Sequence, residues 1–436
     1  MKVDIWGKIE NKTAIVSVIG LGYVGLPLAV NMAKAGYRVI GIDINEKAIE
    51  KINLCENYIS DVEDYDLIEV VKSAKLLAAS DFSLLREADC IVICVPTPLD
   101  INKQPDMSYI KAAVEKTAKY LHADTLVILE STTYPGTTEE LLKPVLERES
   151  GLQCEKDFYL AFSPERVDPG NSVYKTKNTP KVVGGIGKSS TEIAAALYRK
   201  VLESDVFVVS SPAVAEMEKI LENTYRNINI ALINEMAIIC EQMNINIWEV
   251  IDAAKTKPYG FHAFYPGPGI GGHCIPLDPF YLTWKAREFD YHTRLIELSG
   301  EINQYMPQYV LERIYRILNR FKKPLNGSKI LILGVAYKPD LGDYRESPSL
   351  KVIELLEEEG VEVNYHDPYV ARFTHKNKDY IKIELTAESL DNSDLTVIAT
   401  HHRCYDYHFI QKYSRFIFDT RNAMKDVKSR ENIELL

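Results

Sequence analysis

The stretch from Ala14 to Asp43 constrains the fold more than any other part of this 436-residue chain. Ala14-Ile15-Val16-Ser17-Val18-Ile19 reads as a buried strand, Gly20-Leu21-Gly22-Tyr23-Val24-Gly25 as a tight turn, and Pro27 to Ala35 as a helix stopped by Gly36. Tyr37 to Asp43 reads as a second strand. Thr13 to Ala33 carries no charge and is long enough to raise a membrane span, but three glycines and a proline inside it argue for strand, turn and helix instead. In that context Gly20-x-Gly22-x-x-Gly25 is a dinucleotide-binding signal, because Asp43 ends the next strand 18 residues after Gly25. Gly20 permits the turn and Gly22 lets a pyrophosphate approach the backbone. The amides around Tyr23, Val24 and Gly25, at a helix N-terminus, face the anion. The Asp43 carboxylate accepts ribose hydroxyls and repels a 2'-phosphate, which favours NAD over NADP.

The pattern continues with a buried strand at Cys90 to Val95, a helix at Ser108 to Leu121 and a strand at Thr125 to Leu129. Alternation of strands and helices predicts an α/β fold with a doubly wound parallel sheet. The last third repeats the design: strand Lys329 to Gly334, helix Ser349 to Glu359, strand Val361 to Tyr365 leading to Asp367, and Ser393 to Thr400 echoing Ala88 to Val95. This second domain lacks the full glycine set and need not bind a dinucleotide. Ala213 to Met243 and Arg294 to Phe321 have helical periodicity. Two Rossmann-like domains joined by a central helical layer are therefore expected, with divisions at 1–210, 211–321 and 322–436. Thr97, in Val95-Pro96-Thr97-Pro98 at the end of a strand, is either a cofactor contact or part of an ordinary turn.

Composition bounds the partners. Lys plus Arg is 51 against 62 for Asp plus Glu, a formal net charge of -11, so there is no global attraction to nucleic acid or acidic lipid. Neither a nucleic-acid partner nor membrane insertion is expected, and no signal-peptide pattern is evident. Seven cysteines, without zinc-type spacing, suit a reduced cytoplasmic protein and call for no metal.

Two segments bear on chemistry. Phe264 to Pro279 places four glycines and two prolines just before Cys274, so the thiol is presented from a turn whose backbone can approach a ligand. Beside a nicotinamide, such a thiol could capture an aldehyde as a thiohemiacetal, whose oxidation gives a thioester. The alternative is a structural cysteine. Asp278 also suits a helix N-cap before Pro279. Lys219, Asn223 and Arg226 share one helix face, suited to an oxyanion and a phosphorylated, hydroxyl-rich ligand, or else simply solvated.

Five motifs in order resemble the nucleotide-sugar 6-dehydrogenases. They are Gly20-x-Gly22-Tyr23-Val24-Gly25-Leu26-Pro27, Glu130-Ser131-Thr132-Thr133-Tyr134-Pro135-Gly136, Ser163-Pro164-Glu165-Arg166, Gly271-Gly272-His273-Cys274 with Asp278, and Lys338-Pro339-Asp340 with Arg345-Glu346-Ser347. The segment after Cys274 is most similar to the UDP-N-acetylglucosamine branch; UDP-N-acetylmannosamine and UDP-glucose are the alternatives. A two-electron hydroxy-acid dehydrogenase or a non-catalytic NAD-binding regulator is more remote, since neither uses Cys274. The resemblance implies oxidation of a UDP-sugar C6 alcohol with two NAD by a homodimer. It implies that Cys274 is the nucleophile, Lys219 stabilises the oxyanion or moves a proton, Asp278 assists base catalysis and Asn223 holds a sugar-side oxygen. Glu165 then positions water, and Thr133 neighbours cofactor and substrate. Arg166, Val167, Arg226, Gly271 and Lys338 contact the UDP-sugar, while Arg345 reaches NAD. The second domain becomes a UDP-binding lobe.

Overall fold

The computed structural model describes residues 4–59, 61–100, 102–168, 170–171 and 173–436. The chain divides into two compact units, one running up to Glu222 with Phe280–Tyr291 added, the other Asn223–Pro279 with His292–Leu436.

The first unit is built on β1 (Ile15–Ile19), β2 (Arg38–Ile42), β3 (Leu76–Ala79), β4 (Cys90–Ile93), β5 (Leu126–Leu129), β6 (Tyr159–Phe162), β7 (Lys181–Gly185) and β8 (Val206–Val208). Their order across the sheet is β3-β2-β1-β4-β5-β6-β7-β8. The central strands β4 and β5 are buried throughout, which is why they read as unbroken apolar runs with no alternation. Cys90 and Cys94 pack in that core as small hydrophobes, and burial pushes both thiols up. The expected doubly wound parallel sheet is present from β3 through β6, with one correction. The strands β6 and β7 are antiparallel, with Phe162 opposite Gly184. No helix occurs among the described residues connecting them, and a parallel return requires a crossover.

The second unit holds a parallel sheet of β9 (Lys329–Leu333), β10 (Glu362–His366), β13 (Leu395–Ile398), β14 (Ile417–Asp419) and β15 (Ile433–Leu435), in the order β10-β9-β13-β14-β15. A separate antiparallel hairpin joins β11 (Arg372–His375) and β12 (Lys378–Ile381). The echo between the two sheets extends to side chains. Gly334 has φ +85° and Gly20 has φ +90°. Asp367 accepts the amides of Val335 and Ala336, much as Asp43 accepts that of Leu21. His402 locks the Asp367 position: its Nδ1 accepts from the Asp340 amide at 2.9 Å and its Nε2 lies 3.1 Å from Asp367 Oδ2. Asp367 stays below the ordinary carboxylate range, because His402 and the loop amides outweigh its burial.

The two long helices span Pro212–Gln242 and Arg294–Arg320, within a residue of their expected limits. The division between the compact units falls inside the first of them. Within the second unit a ladder of buried amides joins the helices to the Cys274 segment. Asn234 Nδ2 donates to Asn303 Oδ1 at 2.9 Å, Asn303 Nδ2 to the Asn227 carbonyl at 3.1 Å, and Asn227 Nδ2 to the Ile275 carbonyl at 3.0 Å. Buried amides left without such partners cost about 1–3 kcal/mol each, so the ladder fixes helix register and loop position together. Among the described residues no helix is long and apolar enough to cross a membrane.

Candidate active site

The glycine turn has the shape its spacing implies. A Cβ on Gly20 would lie 2.5 Å from the Cys94 carbonyl oxygen, and one on Gly25 would lie 1.8 Å from that of Gly20. At Gly22 a Cβ meets nothing within 4 Å, which leaves the open approach a pyrophosphate needs. The helix Gly25–Lys34 begins after Val24, which makes no side-chain cap, and its N-terminus is where a pyrophosphate would meet the positive end of the helix. Asp43 Oδ2 accepts from the Leu21 amide at 2.7 Å and Oδ1 from the Asn45 amide at 2.8 Å. Tyr58 donates its hydroxyl to the Leu21 carbonyl at 2.5 Å, and burial together with Asp43 pushes this phenol up to about 12. The residues present therefore fit NAD: the glycine turn would hold the pyrophosphate and Asp43 the ribose.

Other first-unit candidates cluster at the ends of β4, β5 and β6. The Thr97 carbonyl accepts from the hydroxyl of the fully buried Tyr281. Thr133 is buried, with its hydroxyl 2.7 Å from that of Thr137. Glu216, which sequence reading passed over, ties the long helix to this segment by accepting from the Gly136 amide at 2.6 Å, the Thr138 amide at 2.9 Å and the Thr138 hydroxyl at 2.7 Å. Burial pushes its carboxyl up to about 7.

Lys219 and Glu165 are brought together. The Lys219 ammonium donates to the Glu165 main-chain oxygen at 2.5 Å. Glu165 Oε1 accepts from the Arg166 and Val167 amides at 2.9 Å each. The Arg166 guanidinium reaches Glu218 at 3.3 Å and also pairs with Glu222.

In the second unit, Asn223 and Asp278 are both buried and bonded, Asn223 Nδ2 donating to Asp278 Oδ2 at 2.6 Å. Lys219 and Asn223 are thus not on a solvated face. Arg226, on the same helix face, is exposed. The helix Asp278–Ala286 counts Asp278 as its first residue, and the Asp278 carboxylate accepts from Asn223 at this helix start. Cys274 is exposed, and its carbonyl accepts the Leu277 and Asp278 amides in a tight turn.

The glycines before Cys274 pack closely against protein. A Cβ on Gly271 would lie 2.6 Å from Tyr337 Cβ, and one on Gly267 would lie 2.2 Å from an Arg421 nitrogen. Gly272, at φ +85°, lies against the Tyr337 ring. The loop needs glycine to approach protein. Arg421 is a further residue the sequence reading passed over. Its Nε donates to the Ala399 carbonyl at 2.8 Å, and burial lowers its guanidinium to about 10. The signal was present in Asp419-Thr420-Arg421, a cation just past a strand end. Lys338 is half-buried, and Arg345 is exposed and pairs with Asp343 through Nε at 2.9 Å and a terminal nitrogen at 2.7 Å. Packing around its ring, with the Arg345 guanidinium next in effect, lowers His273.

Residues 14–202, 213–305 and 331–426 match, in order, the NAD binding, central and UDP binding domains of the UDP-glucose/GDP-mannose dehydrogenase family. The chain belongs to that family. It is an NAD-dependent UDP-sugar dehydrogenase with a Rossmann-type NAD-binding domain. It is 37% identical over 418 residues to the UDP-N-acetyl-D-mannosamine dehydrogenase of Pyrococcus horikoshii, covering 94% of this chain and 96% of the relative. The solved structure of the P. horikoshii enzyme superposes with a TM-score of 0.87 at 33% identity, covering 97% of this chain and 98% of the other. The UDP-N-acetyl-D-glucosamine 6-dehydrogenase of Pseudomonas aeruginosa is 37% identical over 356 residues, covering 82% of this chain and 83% of the relative. A UDP-glucose dehydrogenase from Pyrobaculum islandicum superposes with a TM-score of 0.85 at 26% identity, covering 97% and 96%.

Proposed function

We propose that the dehydrogenase performs a four-electron oxidation of the C6 hydroxyl of a UDP-N-acetylhexosamine, preferring UDP-N-acetylglucosamine, to the uronic acid. The observation that carries this reading is the exposed Cys274 set four residues before Asp278, whose buried carboxylate is held by Asn223. An ordinary two-electron alcohol dehydrogenase has no use for that thiol. NAD, when bound, supplies the acceptor for the hydride that leaves C6 in each of two successive oxidations.

The chain's own groups do the rest. Between the two oxidations the Cys274 sulfur bonds to the aldehyde carbon and its proton passes to the former carbonyl oxygen, giving a thiohemiacetal. Asp278 takes the C6 hydroxyl proton as the first hydride departs, passes it to solvent, and then takes the thiohemiacetal hydroxyl proton as the second hydride departs. The Lys219 ammonium opposes charge on the C6 oxygen, an interaction whose loss typically costs about 3 to 4 kcal/mol. Water oriented by Glu165 adds to the thioester carbon, the C–S bond breaks, and acid and free thiol are released. Asn223 holds Asp278 and the sugar-side oxygen. Arg166, Val167, Arg226, Gly271 and Lys338 bind the UDP-sugar, and Thr97, Thr133 and Arg345 serve the NAD side.

A row of exposed apolar residues along the long helix, Val214, Met217, Leu221, Tyr225, Leu232 and Ile239, supports a homodimer assembled on this face. The three-part division at 210 and 321 and a cytoplasmic location complete the reading. UDP-N-acetylmannosamine is the second substrate reading, favoured by the name of the P. horikoshii relative. The test is NADH formation with UDP-N-acetylglucosamine, UDP-N-acetylmannosamine and UDP-glucose side by side. Two NADH per sugar, fastest with the first, are expected. One NADH per sugar overturns the covalent route, and a preference for another sugar overturns the substrate assignment.

A further inference from the structure

Behind Glu165 lies an ion cluster that none of the roles above uses. Lys181 opens β7, and because β7 runs antiparallel to β6, its first residue lies at the carboxyl end of β6, where ligands bind in sheets of this kind. Continuing the register of Phe162 with Gly184 sets Lys181 opposite Glu165. The Lys181 side chain is 4% exposed, and its ammonium lies 3.0 Å from Glu165 Oε2 and 3.2 Å from Glu130 Oε2. Glu130, just past β5, is fully enclosed and accepts the hydroxyl of the equally buried Tyr198, whose ring centre lies 5.3 Å from the ammonium. Two carboxylates share one ammonium. A cluster of this kind is rarely more stable than apolar residues of the same volume, so its presence at the edge of a site calls for a chemical reason.

We propose that Lys181 is a positioning residue for the hydrolytic half of the reaction, fixing the charge and orientation of the Glu165 carboxylate while Glu130 and Tyr198 hold the ammonium in place. The inference rests on Glu165 orienting the attacking water. The Arg166 and Val167 amides occupy Oε1, and Lys181 orients Oε2, which keeps a lone pair for water. The titratable and charged groups that act on this carboxylate are Lys181, Lys219, Arg166, Glu130 and Cys94. Burial opposes its ionisation, yet Lys181, the Val167 amide and Lys219 together hold it below the ordinary range.

The experiment uses the full-length enzyme and whichever of the three UDP-sugars yields NADH. Decay of the acyl-enzyme is followed against pH by intact-protein mass spectrometry of quenched samples, in wild type, Lys181→Met, Glu130→Gln and Glu165→Gln. Lys181→Met is expected to slow hydrolysis about tenfold or more, with recovery at higher pH. Its acid limb should move up by about one pH unit or more, while the KM of the UDP-sugar stays within about threefold. Glu130→Gln frees Lys181 for Glu165 alone and should move the limb down, which keeps the test open if Lys181→Met fails to fold. An acid limb that stays put in the folded variants overturns the proposal, even where Glu165→Gln is slow. Wild-type hydrolysis in Glu165→Gln overturns the reading of Glu165 and the proposal with it.

Discussion

Asn223 donates its side-chain amide to the Asp278 carboxylate at 2.6 Å, with both residues buried. An amide donor orients a buried carboxylate without neutralising it, so the Asn223 contact suits a carboxylate that acts as a base. Asp278→Asn should therefore lower kcat by about a hundredfold or more with little change in the KM of the UDP-sugar. Asn223→Ala should cost about 1–3 kcal/mol in chemical denaturation as well as activity. A kcat within a few fold of wild type in Asp278→Asn would remove Asp278 from the chemistry.

Cys274→Ala should abolish formation of the acid, because the aldehyde then lacks the nucleophile that makes it a hydride donor again. Cys274→Ser is more informative. Its ester hydrolyses more slowly than a thioester, so an oxidised sugar should remain on the protein and appear as added mass. If Cys274→Ala released two NADH per sugar at the wild-type rate, the thiol would be structural.

Asp43 has two tasks, since it anchors the Leu21 and Asn45 amides and would also meet the ribose hydroxyls. Asp43→Asn keeps one acceptor oxygen and removes the charge that repels a 2'-phosphate. It should raise KM for NAD and narrow the preference over NADP, read from kcat/KM with each. Equal kcat/KM for both cofactors in wild type would contradict the role of the carboxylate.

Gly271→Ala places a methyl 2.6 Å from Tyr337 Cβ and 2.9 Å from the Glu346 carbonyl oxygen. Backbone and a ring-bearing Cβ cannot yield as a flexible side chain does. The substitution should cost about 1–3 kcal/mol and displace the turn that presents Cys274. Urea titration and thiol labelling of Cys274 would register both effects, and a variant unchanged in both would contradict this packing.

Glu216 gives stability a pH dependence. Its folded pKa of about 7 lies above the ordinary 4.5, so folding takes up a proton between those values. The stability it contributes is full below the lower value and is lost as pH rises through about 7, on the order of 3 kcal/mol in all. Thermal unfolding from about pH 5 to about pH 8 should show wild type losing ground to Glu216→Gln. A constant difference between the two proteins would refute the assignment.

Local chemistry determined much of this protein before any tertiary contact is considered. The apolar runs at Ile15–Ile19 and Cys90–Ile93, the turn from Gly20 to Gly25 and the acid at 43 are each set by neighbours in sequence, and they suffice for a Rossmann-type domain that binds NAD. Both long helices were legible for the same reason, since their periodicity runs unbroken through 31 and 27 residues. Even the repeat of the first domain in the last third could be read from Gly334 and Asp367.

Tertiary structure alone decided the rest, because those relationships join residues far apart in sequence. Nothing near Lys181 in sequence announces two carboxylates, which arrive from β5 and β6 only after the sheet has formed and β7 has turned antiparallel. The glycines before Cys274 suggested room for a ligand, but a glycine reports only that something comes close; Tyr337 and Arg421 are what come close. Lys219, Asn223 and Arg226 share a helix face by spacing, yet burial separates them, enclosing the first two and leaving Arg226 in solvent. Periodicity establishes which side chains point together, and only packing establishes what they meet.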